Sequence, residues 1–212
     1  MQAIYDRFGT TTANVLREAH LAWLDPLLQS SSGRGRTPLG AGYVSLDASR
    51  AWLLYWTVHA QTLLQRALPT ETQADVVATL RTFWHDGEGG FGGGPGQAPH
   101  LAATYAATLT IATLGLPDAY RIVDRHKLLR FLRRMKREDG SFTMCENGEV
   151  DVRGTYCALT CALLFDLLVP DLVQDCAHFI QRCGTPSPSF MRRVRCCMQP
   201  MLMRTNGQSY GM

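Results

Sequence analysis

Asp86-Gly87-Glu88-Gly89-Gly90-Phe91-Gly92-Gly93-Gly94-Pro95-Gly96, followed by Thr104-Tyr105-Ala106-Ala107, sets a pattern that recurs. The second copy is Asp139-Gly140-Ser141-Phe142, followed by Thr155-Tyr156-Cys157-Ala158. The two aspartates lie 53 residues apart and the two tyrosines 51. A period of that size describes an array of helical hairpins, each burying its apolar face only against its neighbours. The helix that introduces a third copy is present as Asp175-Cys176-Ala177-His178-Phe179-Ile180-Gln181-Arg182-Cys183. Its Asp-Gly turn is expected near residue 187, where Gly184-Thr185-Pro186-Ser187-Pro188-Ser189 stands instead. The array begins and then stops.

Working outward, residues 13–28 read as an amphipathic helix that Pro26 should end or kink. Residues 30–38, rich in Ser, Gly and Arg, read as a flexible linker. Asp47 or Ser49 is the expected cap of a helix from about Arg50 to Leu68. That helix is apolar nearly all round, as a helix buried on all sides would be. Further helices are expected at 71–85, 101–114, 123–137, 155–168 and 170–182. No strand is expected, because the alternating segments are short and lack hairpin turns. The fold class is all-α. The organisation is an N-terminal helix and linker over 1–38, a helical domain over 39–183, and a divergent, disordered basic tail over 184–212.

The chain has 212 residues, 46% of them apolar, enough for one sizeable core. Its formal charge of +3 belongs to the tail, where four arginines (Arg192, Arg193, Arg195, Arg204) meet no acid. Residues 1–183 sum to −1, so the folded part carries no electrostatic case for binding nucleic acid. Seven cysteines without CxxC spacing, no N-terminal apolar leader and no apolar run of 18 residues point to a reduced, cytoplasmic protein with no transmembrane segment. Cys157 and Cys161 share one helix face, but no His or carboxylate stands at a ligand offset beside them. They read as buried small hydrophobes.

Residues 87–96 follow a helix and lack a P-loop's strand and its Lys-Ser/Thr. Glycines that let inner and outer helices meet closely are the better account. Trp52 and Trp56, at i and i+4, share a helix face and read either as core or as the wall of a pocket. His100 reads as a histidine at a helix start or as a substrate contact. Glu149 and Arg153, i and i+4 if helical, read as a surface ion pair or, with Asp151, as part of a polar relay.

Three segments in this order resemble the β subunits of protein farnesyltransferases. They are Leu46-Asp47-Ala48-Ser49-Arg50-Ala51-Trp52-Leu53-Leu54-Tyr55-Trp56, then Gly89 to Gln97 with Pro99-His100-Leu101-Ala102 and Thr104-Tyr105-Ala106-Ala107, then Gly148-Glu149-Val150-Asp151-Val152-Arg153 with Tyr156-Cys157. The likeness covers about residues 14–183. It implies an incomplete α/α barrel, or toroid, of repeated hairpins around an apolar cavity. It also implies a heterodimer with an α subunit that moves farnesyl from farnesyl diphosphate to the cysteine of a C-terminal Cys-a-a-X sequence, with zinc lowering the thiol pKa.

On this resemblance Ser49, Trp52, Trp56, His100, Ala102, Glu149 and Arg153 form the peptide pocket, and Arg153 with Tyr156 walls the isoprenoid channel. The family's zinc ligands and diphosphate-binding residues fall beyond the divergence near residue 183. No catalytic residue and no metal ligand is therefore assigned, no zinc is expected on this chain, and the chain as written is expected to be inactive. The other readings are a non-catalytic form that binds the α subunit and a geranylgeranyltransferase type I β subunit, the latter disfavoured by the two tryptophans.

Overall fold

The computed structural model describes residues 16–28 and 41–184. The start of the first predicted helix, the linker and the tail from residue 185 lie outside the described residues. Helix α1 (Arg17–Leu28) precedes a 3-10 segment (Ala41–Ser49), α2 (Arg50–Leu63) and α3 (Thr70–Phe83). A two-residue antiparallel ladder, β1 (Trp84–His85) with β2 (Gly90–Phe91), leads to α4 (Leu101–Leu114) and the single turn α5 (Pro117–Tyr120). Then come α6 (Arg125–Met135), α7 (Val152–Leu164), another single turn α8 (Pro170–Val173), and α9 (Cys176–Cys183).

Helices α2, α4 and α7 stand side by side with α4 in the middle, while α3, α6 and α9 pack on them from outside. Composition explains the layering. The middle helix buries Ala103, Thr104, Ala106, Ala107, Thr108 and Thr110, small residues that let two neighbours approach closely. Thr110 Oγ1 donates within the helix, to the Ala106 carbonyl at 2.9 Å, whereas Thr104 and Thr108 pair with the Phe91 backbone and the Cys161 sulfur outside it. The outer helix α6 is one-sided. Leu128, Phe131, Leu132 and Met135 are buried at i, i+3, i+4 and i+7, and its arginines face outward. Lys127 and Arg133 reach the neighbouring Asp86 and Asp171 at 2.5 and 2.6 Å.

The all-α expectation holds, with four local corrections. Short β pairing does occur, in the ladder above and in the bridges Lys136–Phe142 and Thr143–Val150. Each glycine turn folds back as a hairpin too short to show alternation. Helix α2 is not buried on all sides: Trp56 is 54% and Leu63 70% exposed, because α1, α3 and α4 cover only part of its surface. Pro26 does not end α1, which continues to Leu28; the carbonyl it leaves unpaired is that of Ala22, on the exposed side. The predicted helix 170–182 is two pieces, since Asp175 takes φ +60 between them.

Among the described residues no helix is long and apolar enough to cross a membrane.

Candidate functional site

The turns position the inner helices. At Gly89 (φ +81) an added Cβ would lie 2.2 Å from the Lys127 carbonyl oxygen, and at Gly140 (φ +88) 2.2 Å from that of Asp175. Each turn therefore demands glycine twice over, for its dihedral and for its contact with the outer helix that follows. The loop beyond each turn caps an inner helix. The Gly93 carbonyl accepts the Ala51 N–H at the head of α2 (3.2 Å), and the Met144 carbonyl accepts the Leu101 N–H at the head of α4 (2.7 Å). Buried Phe91 and Phe142 plug the two turns.

The heads of three adjacent helices thereby meet at one end of the layer, and there the side chains form a continuous aromatic band. Ring centroids of Trp56 and Trp52 are 5.5 Å apart, Trp52 and Tyr105 5.8 Å, and Tyr105 and Tyr156 5.5 Å. The two phenol oxygens are 3.4 Å apart. Burial, followed by the Tyr156 hydroxyl, pushes the Tyr105 phenol well above its ordinary range. Trp56 and Tyr156 are 54% and 62% exposed, so the band presents apolar faces to solvent across α2, α4 and α7. Tyr105 was missed as a site residue. Its match to Tyr156 at 51 residues was the available signal.

Polar groups edge the band. Asp151 caps α7, accepting the Arg153 N–H at 2.7 Å, and its carboxylate also takes Arg153 Nη2 at 2.6 Å. The side-chain bond from Arg153 holds Asp151 below the usual carboxylate range and in turn raises Arg153. Glu149 is more distant from Arg153, at 3.9 Å, and lies before the helix rather than in it. The helical i, i+4 pair expected from the sequence is thus a loop-to-helix pair, because Asp151 starts the helix two residues later. All three groups are partly exposed, Arg153 by 67%, so their mutual attraction is screened and none is a buried charge needing rescue.

His100 is the N-cap of α4: its Nδ1 accepts the Ala102 N–H at 3.1 Å. Burial lowers its pKa most; Glu149 raises it and Arg153 lowers it by lesser amounts, which places His100 within their field. Ser49 occupies the N-cap position of α2 but makes no side-chain cap bond. The Asp47 carboxylate instead takes Arg50 Nε at 2.7 Å and Gln97 Nε2 at 2.8 Å, so neither residue caps the helix as expected. The described structure joins Trp52, Trp56 and Tyr156 through Tyr105, and His100 with Glu149 and Arg153. Ser49 and Ala102 stand at the heads of α2 and α4.

Cys157 and Cys161 are buried, and burial pushes their thiols up to about 11 and 12. Thr108 Oγ1 donates to the Cys161 sulfur at 3.5 Å. Among the described residues no three His, Cys, Asp or Glu side chains come together to hold a metal.

An α-α layer whose aromatic inner face ends in charged and imidazole groups defines a class, and sequence comparison names it. The chain belongs to the prenyltransferase alpha-alpha toroid domain family, matched over residues 15–194, which reaches eleven residues into the segment expected to be divergent. It is 41% identical over 152 residues to the protein farnesyltransferase subunit beta of Arabidopsis thaliana, covering 72% of this chain and 31% of that protein. It is 34% identical over 183 residues to that of Saccharomyces cerevisiae, covering 85% of this chain and 41% of that protein. The likeness to the yeast geranylgeranyl transferase type-2 subunit beta is weaker, 29% over 130 residues. The chain thus spans between about a third and two fifths of the length of the farnesyltransferase relatives.

Proposed function

We propose that this chain supplies the peptide- and isoprenoid-facing wall of a protein farnesyltransferase β subunit, acting with an α subunit on Cys-a-a-X proteins. The observation that carries this reading is the aromatic band from Trp56 to Tyr156, ending at Arg153, Glu149 and His100. Flat, partly exposed rings suit an isoprenoid and the branched side chains of the peptide. The band costs little entropy to order and excludes water from a chain that carries no polar groups of its own. Trp52 and Trp56 then wall the peptide pocket and limit its length. Ser49, His100 and Ala102 shape the site of the last residue. Glu149 and Arg153 direct the peptide carboxylate, and Arg153 with Tyr156 flanks the isoprenoid.

The neutral His100 offers no full charge to the carboxylate; the cation at this edge is Arg153, whose guanidinium fits a carboxylate fork. Zinc chemistry belongs to the family, but the described residues do not fit a zinc site. Activation of the peptide thiol is not among the roles these residues carry.

The test is co-expression of the chain, at the length its transcript encodes across the Cys183 codon, with a farnesyltransferase α subunit. Binding of a fluorescent Cys-a-a-X peptide in the presence of farnesyl diphosphate is expected, with Arg153→Ala raising the peptide Kd about tenfold. An Arg153→Ala Kd equal to the parent's would make that residue a surface ion-pair partner of Asp151. Retention of neither peptide nor isoprenoid would remove the reading.

A further inference from the structure

The loop from Gly92 to Gln97 is fastened to the head of α2 more heavily than the toroid requires. The main-chain bond from Ala51 to Gly93 already ties them, and a Cβ on Gly93 would lie 1.9 Å from the Ala48 carbonyl oxygen. The next gap repeats only this element, through Leu101 and Met144. At the first gap a side-chain clasp is added. Gln97 Nε2 donates to Asp47 Oδ2 at 2.8 Å and to the Asp47 carbonyl at 3.3 Å, while Asp47 Oδ1 takes Arg50 Nε at 2.7 Å. In the second copy the place of Gln97, 51 residues on, is Gly148, which reaches across to nothing equivalent. The architecture is built there without a clasp.

The clasp lies between two groups of the proposed pocket. Ser49 is two residues beyond Asp47, and His100 three beyond Gln97, with the His100 N–H held by the Phe91 carbonyl at 3.0 Å. We propose that Asp47 and Gln97 are positioning residues that fix the spacing between Ser49 on one side and His100 with Ala102 on the other, and so select the last side chain of the peptide. This rests on the function proposed above. A clasp between two partly exposed groups adds little to folding, because water competes for both. Its effect falls on geometry, where small displacements of pocket walls change discrimination strongly.

The experiment measures the Kd of the assembled α-subunit complex, with farnesyl diphosphate present, for four fluorescent Cys-a-a-X peptides ending in methionine, serine, glutamine or leucine. Gln97→Ala and Gln97→Glu are compared with the parent, and Asp47→Asn/Gln97→Glu restores an amide–carboxylate bond with donor and acceptor exchanged. The single variants are expected to change the ratio of Kd between the best and worst peptides by roughly five- to tenfold, and the double variant to restore it. Thermal midpoints should stay within about 2 °C of the parent. Ratios unchanged, or all four peptides weakened alike, would overturn the positioning role while leaving the function standing. A parent complex that takes none of the four would overturn the function, and the clasp's role with it.

Discussion

The two glycine turns are alike where they touch the next layer and unlike where they face the site. A Cβ added at Gly89 or Gly140 would meet a carbonyl oxygen at the head of the following outer helix at the same 2.2 Å, and Phe91 and Phe142 are equally buried. Their hydroxyl partners differ. Thr104 Oγ1 accepts the Phe91 N–H at 3.0 Å, whereas Thr155 Oγ1, 51 residues later and equally buried, has no partner among the described residues. The first loop goes on to a clasped, glycine-rich bridge and the second to a charged one carrying Glu149, Asp151 and Arg153. The repeat encodes the scaffold, and the departures from it fall at the candidate site.

Alanine at either turn glycine tests the shared part. Gly89→Ala and Gly140→Ala should each cost roughly 3 kcal/mol in urea unfolding, since the left-handed backbone and the carbonyl contact both oppose a Cβ. If Gly140→Ala cost less than half as much as Gly89→Ala, the two turns would not be mechanical equivalents. The unlike part is sharpened by valine. Thr104→Val should lose about 1–2 kcal/mol by stranding the Phe91 amide, while Thr155→Val should change stability by no more than about 0.5 kcal/mol. Equal losses would mean that Thr155 is paired after all.

The smallest effect concerns His100. Its folded pKa lies below the unfolded value, so its contribution is present above the unfolded pKa near 6.5 and is lost as pH falls through the folded one. Protonation of Nδ1 removes the acceptor for the Ala102 N–H, a cap of about 1 kcal/mol. Glu149 favours protonation and Arg153 opposes it. His100→Asn, which keeps a capping acceptor without titrating, should flatten the thermal midpoint between pH 7.5 and 5. An unchanged slope would assign that acid sensitivity to the carboxylates.

The layering was legible because punctuation and periodicity agreed. Helix α4 runs from Leu101 to Leu114 as expected, with His100 before it and Gly115 at φ +64 after it. Helix α2 looked buried because its sequence lacks a polar face. The exposed face of α2 is itself apolar, at Trp56 and Leu63, and composition alone does not separate such a face from a core. Asp25, Gln61 and Arg66 were invisible for the opposite reason. Their network, with Arg66 Nη1 donating to Asp25 at 2.6 Å, joins α1 to the end of α2 across 41 residues without a local signal. Trp52, Trp56 and Tyr156 came from motifs, and the structure makes them neighbours through Tyr105, whose spacing from Tyr156 was legible but whose place between the rings was not.

The carbonyls that cap the heads of α2 and α4 come from chain made later. Ala51 receives its acceptor 42 residues downstream, at Gly93, and Leu101 receives its own 43 downstream, at Met144. During synthesis at about 5–20 residues per second, each helix head therefore waits roughly 2 to 9 seconds outside the ribosome for its closing bond. Until then each of these two helix heads carries an open amide that only later chain can close.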